Sequence, residues 1–262
     1  MVVVTEQGLA DLRGDRWGGA EARYRADAFA RHVPDLGRGP LFRALLLRTA
    51  DDEHLLGTAV HHVAGDGATT GVLLRELSIL YAAAVAGRDA HLPDPPLQLP
   101  DYAAWQRGRE VDAAAMEWWR RTLAGAPHVL EVPGDRPRPA AQSFAGSRVT
   151  WALDAALSAR VRALAGREQA TLFSVLLAAV AAVLHRATGE EDLLIGTAVA
   201  NRDAPGAEAA AGFFANTVPL RVRVDADTAA RDLVARARTA GAGAQDHARV
   251  PFDRIVDAAG VR

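Results

Sequence analysis

HLLGTAVHHVAGDGATTGVLLRELSILYAAAVA, residues 54–86, is the stretch of this 262-residue sequence that decides its fold class. The apolar run His54–His61 predicts a β-strand, and the glycine-containing segment His62–Gly67 predicts a loop. Over Thr69–Ala86 the apolar residues recur at helical spacing, which predicts a helix that ends at Gly87. A strand, a short loop and a long helix in this order are typical of an α/β protein.

The flanking sequence continues this pattern. Leu41–Arg48 is a second apolar run, and the charged turn Ala50–Glu53 joins it to His54–His61 as a predicted hairpin. The second half of the chain alternates predicted strands with long amphipathic helices, which again favours an α/β class. The predicted elements there are a strand at Ser147–Leu153, helices at Asp154–Arg167 and Thr171–Arg186, strands at Asp192–Val199 and Asn216–Val224, and a helix from about Thr228.

A proline-rich linker divides the chain into two predicted lobes. The segment Pro133–Pro139 contains three prolines and three charged residues, a composition typical of a linker. We therefore expect residues 1–132 to form part of an N-terminal lobe, residues 133–146 to connect the lobes, and residues 147–262 to form a C-terminal lobe that lacks its end. Residues 1–40 are polar and turn-rich without a strong period.

One long helix is predicted from about Asp101 to Ala124, after an extended connector that contains four prolines between residues 93 and 100. This helix carries Trp105, Trp118 and Trp119. We expect these large apolar rings to pack against neighbouring helices rather than to stack on a substrate.

The charge and composition exclude several classes of function. The sequence contains 30 basic residues, all of them arginine, and 32 acidic residues, so its formal net charge is −2. A chain with this balance lacks the basic field that binding to nucleic acid or to an anionic membrane requires. The absence of cysteine excludes disulfides, thiol nucleophiles and cysteine metal ligands.

Membrane insertion and export are not expected either. The longest apolar run, Leu172–Leu184, is interrupted by Ser174 and is too short to span a bilayer. The apolar opening Met1–Thr5 is cut off by Glu6 and has neither the basic region nor the cleavage pattern of a signal peptide. The sequence therefore predicts a cytoplasmic protein.

The densest cluster of reactive groups is HHVAGDG at residues 61–67. Neighbouring side chains of an extended chain point to opposite faces, so one histidine can face the protein while the other faces a cleft. Gly65 and Gly67 permit a tight turn, and Asp66 can hold that turn or orient an imidazole. The alternative is purely structural, with satisfied core histidines and an aspartate that caps a helix. A metal site is disfavoured, because adjacent histidines at a strand end converge poorly.

The pattern His-His-x-x-x-Asp-Gly resembles the signature of the acyltransferase superfamily that includes chloramphenicol acetyltransferase and the condensation domains of nonribosomal peptide synthetases. Four further blocks have the order and spacing of a condensation domain, and they contain both asparagines of the chain. The chain departs from the family pattern at Gln98, where the family has tyrosine, and at Ala198, where it has proline. The four blocks are DYAAWQ at 101–106, IGTAVANR at 195–202, GFFANTVPLR at 212–221 and QDHARVPFD at 245–253.

This resemblance implies an α/β fold of two chloramphenicol acetyltransferase-like sandwich lobes that form a pseudo-dimer, with the N-terminal lobe incomplete. It also implies a reaction in which a carrier-bound aminoacyl amine attacks a carrier-bound acyl or peptidyl thioester in a tunnel between the lobes, so that an amide forms. His62 would be the catalytic residue, either as a general base or as a group that holds the amine and the developing oxyanion.

The other site residues implied by the resemblance support this histidine. His61 belongs to the signature, Asp66 would pair with Arg202 from the other lobe, and Gly67 would keep the wall open beside the catalytic group. Asn216 would lie near the substrate channel and offer its amide to a carbonyl.

The resemblance implies no directly bound cofactor and no metal, because phosphopantetheine arrives on the carrier proteins. The implied partners are acyl- and aminoacyl-loaded carrier proteins and a neighbouring adenylation domain, with no nucleic acid and no membrane. Two alternatives stay open: an epimerisation-type relative, and a non-catalytic fragment or docking module that keeps the motifs. Family motifs expected before and after the matched blocks are missing, so we expect a chain truncated at both ends that exposes sheet edges and apolar surface.

Overall fold

The computed structural model describes residues 19–94, 97–143, 146–147 and 149–260. These residues form two compact units that alternate along the chain. The first unit comprises the described residues up to Gly108 together with Arg202–Phe214, and the second comprises Arg109–Asn201 together with the residues from Ala215 onward. Met1–Thr5, where the sequence predicts no signal peptide, lie outside the described residues.

These units differ from the predicted lobes. The predicted linker, residues 133–146, falls inside the second unit, and the segment Arg202–Phe214 belongs to the first. That segment joins the first unit because its backbone and its arginine hydrogen-bond to Asp66 and Thr69. The lobe boundaries at residues 132 and 147 stay predictions.

The first unit begins with a helix and an antiparallel hairpin. Strands β1 and β2 pair from Phe42 opposite Val60 to Arg48 opposite His54, which confirms the predicted hairpin. Ala22 of the first helix joins Leu45 and Leu47 of the hairpin in a small buried cluster. The elements are α1 (Gly19–Arg31), β1 (Phe42–Arg48), β2 (His54–Val60), α2 (Gly67–Val85), α3 (Leu99–Gly108) and a short 3-10 turn at Ala207–Ala209.

The second unit combines a two-stranded antiparallel sheet with five helices among its described residues. Strands β3 and β4 pair from Asp192 opposite Arg223 to Val199 opposite Asn216. Helix α7 packs on β4 and α6, and α8 packs on α4. The elements are α4 (Ala113–Leu123), α5 (Ala155–Arg167), α6 (Leu172–Thr188), β3 (Asp192–Val199), β4 (Asn216–Arg223), α7 (Ala230–Asp246) and α8 (Phe252–Ala259).

One apolar core fills the second unit, and Trp119 is its largest fully buried side chain. The indole Nε1 of Trp119 donates to the carbonyl of His247 at 3.1 Å. The ring of Trp118 stacks on the imidazole of His247, with centroids 4.2 Å apart. The prediction that the tryptophans pack is therefore confirmed for these two, whereas Trp105 is half exposed.

Large apolar side chains on two helices stay exposed. On α2 these are Leu74, Leu77, Ile79, Leu80, Tyr81 and Val85, and on α6 they are Leu172, Phe173, Leu176, Val180 and Val183. Among the described helices, α2 is the one that by itself is long and apolar enough to cross a membrane, and α5 with α6 passes that test only as a pair bent by 104°. An apolar helix of this kind in a folded protein is normally covered by other elements.

The predicted helix at Asp101–Ala124 is in fact two helices. α3 ends at Gly108, and the Asp112 carboxylate accepts the backbone N–H of Ala114 at 2.8 Å, which caps the start of α4. Side-chain caps of this kind are helix start signals, and here one lies inside an apparently continuous apolar pattern.

The strand predicted at Ser147–Leu153 is wrong for the residues that the structure describes, 147 and 149–153. A β-strand needs a hydrogen-bonded neighbour, and this segment pairs with none of the described strands. Val149 and Trp151 are accordingly exposed. Two helices were missed: α1, which is polar with a single buried residue, and α8, which has eight residues.

Candidate active site

The HHVAGDG loop at residues 61–67 connects β2 to α2. The backbone N–H of His61 donates to the carbonyl of Leu41 at 2.8 Å, which continues the hairpin ladder for one more residue. The N–H of Ala64 then donates to the carbonyl of His61 at 2.8 Å and closes a turn.

The two histidines carry their ring protons on different nitrogens. His62 Nδ1 lies 3.0 Å from the carbonyl oxygen of Gly65, and it carries the proton because a carbonyl can only accept. His61 Nδ1 instead accepts the backbone N–H of Val63 at 3.1 Å. When neutral, the exposed His62 therefore presents a lone pair at Nε2, whereas the half-buried His61 presents an N–H there.

Asp66 caps α2 and forms a capping box with Thr69. The carboxylate Oδ1 accepts the backbone N–H of Thr69 at 3.1 Å, and Thr69 Oγ1 accepts the backbone N–H of Asp66 at 3.2 Å. Oδ2 accepts the backbone N–H of Phe214 at 3.0 Å. The helix-cap alternative thus describes part of what Asp66 does, and the same carboxylate also binds a segment that is distant in sequence.

Arg202 completes a buried ion pair with Asp66. Its Nη2 donates to Asp66 Oδ1 at 2.7 Å, and the two side chains are 8% and 4% exposed. Nη1 donates to the carbonyls of Ala207 and Ala210, and the guanidinium lies 4.5 Å from the centroid of the Phe214 ring. Nε is buried and has no hydrogen-bond partner among the described atoms. One side chain thereby connects Asp66 to the carbonyls of Ala207 and Ala210.

The pKa of the Asp66 carboxyl lies below its usual value. Burial is the largest single influence and would raise this pKa, because it disfavours the charged form. The hydrogen bond from Arg202 and those from the backbone N–H groups of Phe214 and Thr69 together outweigh burial. Asp66 is therefore ionised at neutral pH.

The aromatic ring that meets His62 belongs to Phe213. The two ring centroids are 5.3 Å apart and the planes cross at 82°, an edge-to-face arrangement. Phe213 is 43% exposed, whereas Phe214 is 2% exposed and its ring packs 4.9 Å from that of Tyr102. Consecutive phenylalanines therefore have different roles, one beside His62 and one in the interior.

The two glycines of the motif occupy different environments. A Cβ on Gly65 would lie 3.0 Å from Cγ2 of Thr69 and 3.1 Å from Cγ1 of Val60, so this residue permits a close approach between the loop and α2. A Cβ on Gly67 would meet no atom within 4 Å. The space at Gly67 is open, and its use as a channel wall stays a prediction.

Asn216 lies in the second unit, where it holds the segment that leads into α8. Its Nδ2 donates to the carbonyls of Ala248 and Val250, both at 2.8 Å, and its Oδ1 accepts the backbone N–H of Phe252 at 3.1 Å. Both amide donors are thus used inside the protein. A substrate carbonyl would have to displace one of them.

The first unit brings together most of the predicted site residues: His61, His62, Asp66, Gly67 and Arg202. The site also contains Thr69, Gly212 and Phe213, for which the sequence predicted no role. Thr69 could have been found, because it stands three residues after Asp66 at the spacing of a capping box. Gly212 and Phe213 lie inside the GFFANTVPLR block, but the resemblance assigned a site role in that block to Asn216 alone.

The chemistry available at the loop is that of a base, the Nε2 of His62, supported by a rigid ion pair. Within the described ranges, no three or more His, Cys, Asp or Glu side chains are grouped so that they could hold a metal ion. The arrangement can accept a proton or bind a donor group close to the end of β2.

The family model for the condensation domain matches residues 14–262. The chain belongs to the condensation-domain family. It is 44% identical over 260 residues to phosphinothricin tripeptide synthetase PhsC of Streptomyces viridochromogenes and 42% identical over 252 residues to malpinin synthetase of Mortierella alpina. These alignments cover 98% and 95% of this condensation-domain chain but only 24% and 3% of the two synthetases.

Solved structures share the fold of this chain. The X-domain from teicoplanin biosynthesis is 30% identical with a TM-score of 0.84, and the match covers 94% of this chain and 56% of that one. The same X-domain in complex with OxyB matches with a TM-score of 0.82 and also 30% identity. The family predicted from the sequence blocks and the α/β fold class are thereby confirmed.

Proposed function

We propose that this condensation-domain chain joins a carrier-bound acyl or peptidyl thioester to a carrier-bound aminoacyl amine. The observation that carries the proposal is the state of His62, which is exposed and donates through Nδ1 to Gly65. That hydrogen bond leaves the Nε2 lone pair for chemistry. The family to which the chain belongs catalyses amide-bond formation.

Of the two roles considered for His62, this tautomer favours the general base. The amine nitrogen attacks the thioester carbonyl, a C–N bond forms, the C–S bond breaks and the carrier leaves as a thiolate, which then takes back from His62 the proton that the amine has lost and becomes the free thiol. The proton lost by the amine passes to Nε2 of His62. A well-placed general base contributes about 10²- to 10⁴-fold to a rate. An oxyanion-holding role would need a donor at Nε2, and the neutral ring has none there.

Asp66 and Arg202 act as structural support in this proposal. The carboxylate of Asp66 accepts hydrogen bonds from Arg202, Phe214 and Thr69, so neither oxygen is left for proton transfer with substrate. Gly67 leaves the space beside the loop open, and His61 shapes the turn through the N–H of Val63. Asn216 supports the proposed channel by fixing the residues 248–252 rather than by binding substrate directly.

The proposed partners are two loaded carrier proteins and a neighbouring adenylation domain, in the cytoplasm. Phosphopantetheine would arrive as part of each carrier substrate and would not be a resident cofactor. Effective molarity from holding two tethered substrates together would contribute up to roughly 7–11 kcal/mol to lowering the barrier. The neutral charge balance of the chain agrees with protein partners rather than nucleic acid.

The decisive experiment supplies the full chain with donor- and acceptor-loaded carrier proteins and follows the dipeptidyl carrier by mass spectrometry. We expect His62→Ala and His62→Gln to lose about 10²- to 10⁴-fold in rate. His54→Gln, an exposed histidine at the start of β2, is the matched control and should keep its activity. Product formation by His62→Ala at the wild-type rate would contradict the proposal.

Two alternatives give different results in the same assay. An epimerisation-type relative would place solvent deuterium at the α-carbon of the carrier-bound residue without forming an amide. A docking module would bind a protein partner without either reaction, and the structural match to an X-domain in complex with OxyB favours this second candidate over the first. A wild-type chain that binds carriers but yields neither product would support the docking function.

A further inference from the structure

Phe213 contacts the catalytic candidate directly, although the proposed chemistry gives it no role. Its ring lies edge-to-face with His62 at a centroid distance of 5.3 Å. At 43% exposure, Phe213 is not a core residue whose position is explained by packing alone. A large apolar ring held at the surface beside a reactive imidazole therefore calls for a separate explanation.

The backbone on both sides of Phe213 is held by the first turn of α2. On one side, Gly212 donates its N–H to Thr69 Oγ1 at 3.1 Å and accepts from the same hydroxyl at 2.9 Å. On the other side, Phe214 donates its N–H to Asp66 Oδ2 at 3.0 Å. The ring of Phe213 is thus attached to a short segment that cannot shift without breaking buried hydrogen bonds.

Close packing further restricts this segment. A Cβ on Gly212 would lie 2.9 Å from Cβ of Leu99 and 3.0 Å from Cε2 of Phe214, so the backbone fits tightly against α3. Interiors packed at this density transmit displacement rather than absorb it. The position of Phe213 is consequently determined by the same network that holds Asp66.

A histidine ring with one hydrogen bond has a second orientation available to it. Rotation of the His62 ring by half a turn about χ2 would exchange the places of its nitrogens and carbons and break the bond from Nδ1 to Gly65. The ring of Phe213 lies edge-to-face with the imidazole and opposes this rotation, because the imidazole would lose that contact as it turns. The hydrogen bond selects the tautomer and the orientation, and the aromatic contact holds the plane of the ring in place.

We propose that Phe213 is a positioning residue that holds the His62 imidazole with Nδ1 on Gly65 and Nε2 towards the substrate. This inference rests on the proposed function only for its effect on the rate. The orientation itself is a property of the free protein. Asp66 thereby acts on His62 through the backbone of Phe214 and the ring of Phe213, without touching the substrate.

The primary test measures the ring nitrogens of His62 by NMR in the full chain labelled with ¹⁵N-histidine, and His62→Gln identifies its signals. The wild-type chain should show a single Nδ1–H tautomer at neutral charge. Phe213→Ala should show averaged shifts for the two nitrogens, and Phe213→Tyr should restore the wild-type pattern. Phe213→Leu, which retains apolar volume but has no ring, should resemble Phe213→Ala.

Phe173→Ala is the matched control, because Phe173 is similarly exposed, at 46%, and lies in the other unit. It should leave the His62 shifts unchanged. Unaltered His62 shifts in both Phe213→Ala and Phe213→Leu would overturn the inference. Circular dichroism checks that the variants stay folded. If Phe213→Ala unfolds, the comparison with the wild-type chain is made with Phe213→Leu.

A second measurement uses the condensation assay. Phe213→Ala should lower kcat by about threefold to tenfold with little change in KM, and Phe213→Tyr should recover the rate. An equal loss in the tyrosine and alanine variants would count against positioning by the ring. The NMR result is independent of catalysis, so an active His62→Ala variant would remove the proposed function without altering the conclusion about Phe213.

Discussion

Asp66 and Arg202 are 136 residues apart in the sequence, and Oδ1 of the aspartate lies 2.7 Å from Nη2 of the arginine in a buried ion pair. The same carboxylate caps α2 and binds the backbone of Phe214. The pair therefore connects the HHVAGDG loop to the Arg202–Phe214 segment, and it does so inside one compact unit. The aspartate of the motif is explained by this connection.

Asp66→Ala should strongly destabilise the chain. The substitution leaves the guanidinium of Arg202 buried without its counter-ion, a change that typically costs about 3–5 kcal/mol. Urea unfolding followed by circular dichroism measures the loss. The control is Asp51→Ala, which removes an exposed partner of Arg48 and should cost less than about 1 kcal/mol. Equal losses of unfolding free energy in the two variants would mean that the buried ion pair stabilises the chain no more than the exposed one.

Stability should fall on acidification below about pH 4, the usual range of aspartate pKa values. The pKa of Asp192 is lowered mainly by its hydrogen bond from Arg221, and that of Asp66 is lowered as described above. Because these pKa values are lower in the folded state, the unfolded chain binds protons first, and the stabilisation is lost as the pH falls through the folded values. Unfolding free energies between pH 7 and pH 3 should depend less on pH in the Asp66→Asn, Asp192→Asn double variant. An unchanged acid profile in that variant would contradict the assignment.

The two glycines of the motif should respond differently to alanine. Gly65→Ala forces a Cβ to within 3.0 Å of Thr69 and 3.1 Å of Val60, so its melting temperature should drop. Overpacking of this kind costs about 1–3 kcal/mol. Gly67→Ala meets no atom within 4 Å and should keep or raise the melting temperature. If Gly67→Ala stays folded but loses condensation activity, the added methyl group obstructs the substrate rather than the fold.

Asn216→Ala should loosen the segment that leads into α8. It removes three hydrogen bonds, to the carbonyls of Ala248 and Val250 and from the N–H of Phe252. We expect a loss of about 1–3 kcal/mol, because buried carbonyls lose their donors. Faster hydrogen exchange at the Phe252 amide identifies the site of the effect. Gln245→Ala, at an exposed amide of α7, is the control and should change neither measurement.

The isolated chain should bind an apolar dye and tend to associate, as the sequence suggested. The exposed apolar side chains of α2 and α6 are the structural basis for this expectation. Replacing Leu74, Tyr81 and Val85 on α2 with polar residues should reduce dye fluorescence and aggregation. Replacing Val129 and Val149, which are exposed in irregular segments, should have little effect. A monomeric wild-type chain without dye binding would contradict the prediction.

Local patterns predicted most of the elements correctly. The hairpin, α2, α5, α6, β3 and β4 were all expected close to their observed bounds, because each carries a continuous apolar pattern. The residue blocks identified the family, and they contained both Asp66 and Arg202. The secondary-structure elements depend on residues that are neighbours in the sequence. Asp66 and Arg202 are far apart, but both lie in blocks of the family pattern.

The remaining features depend on tertiary context. A strand at Ser147–Leu153 has suitable residues, but whether it forms depends on a partner that local sequence does not specify. The hydrogen bonds of Asn216 involve Phe252, 36 residues away, and no local pattern reveals that both amide donors are occupied. The contact between His62 and Phe213 likewise follows from how the Arg202–Phe214 segment folds back.

The alternation of the two units along the chain has a consequence for synthesis on the ribosome. The first unit requires Arg202–Phe214, which emerges only after most of the second unit has been translated. Translation proceeds at roughly 5–20 residues per second, so Arg202 is synthesised on the order of ten seconds after Asp66. The HHVAGDG loop therefore acquires its buried ion pair late in synthesis, and the second unit, which needs the residues from Ala215 onward, is completed later still.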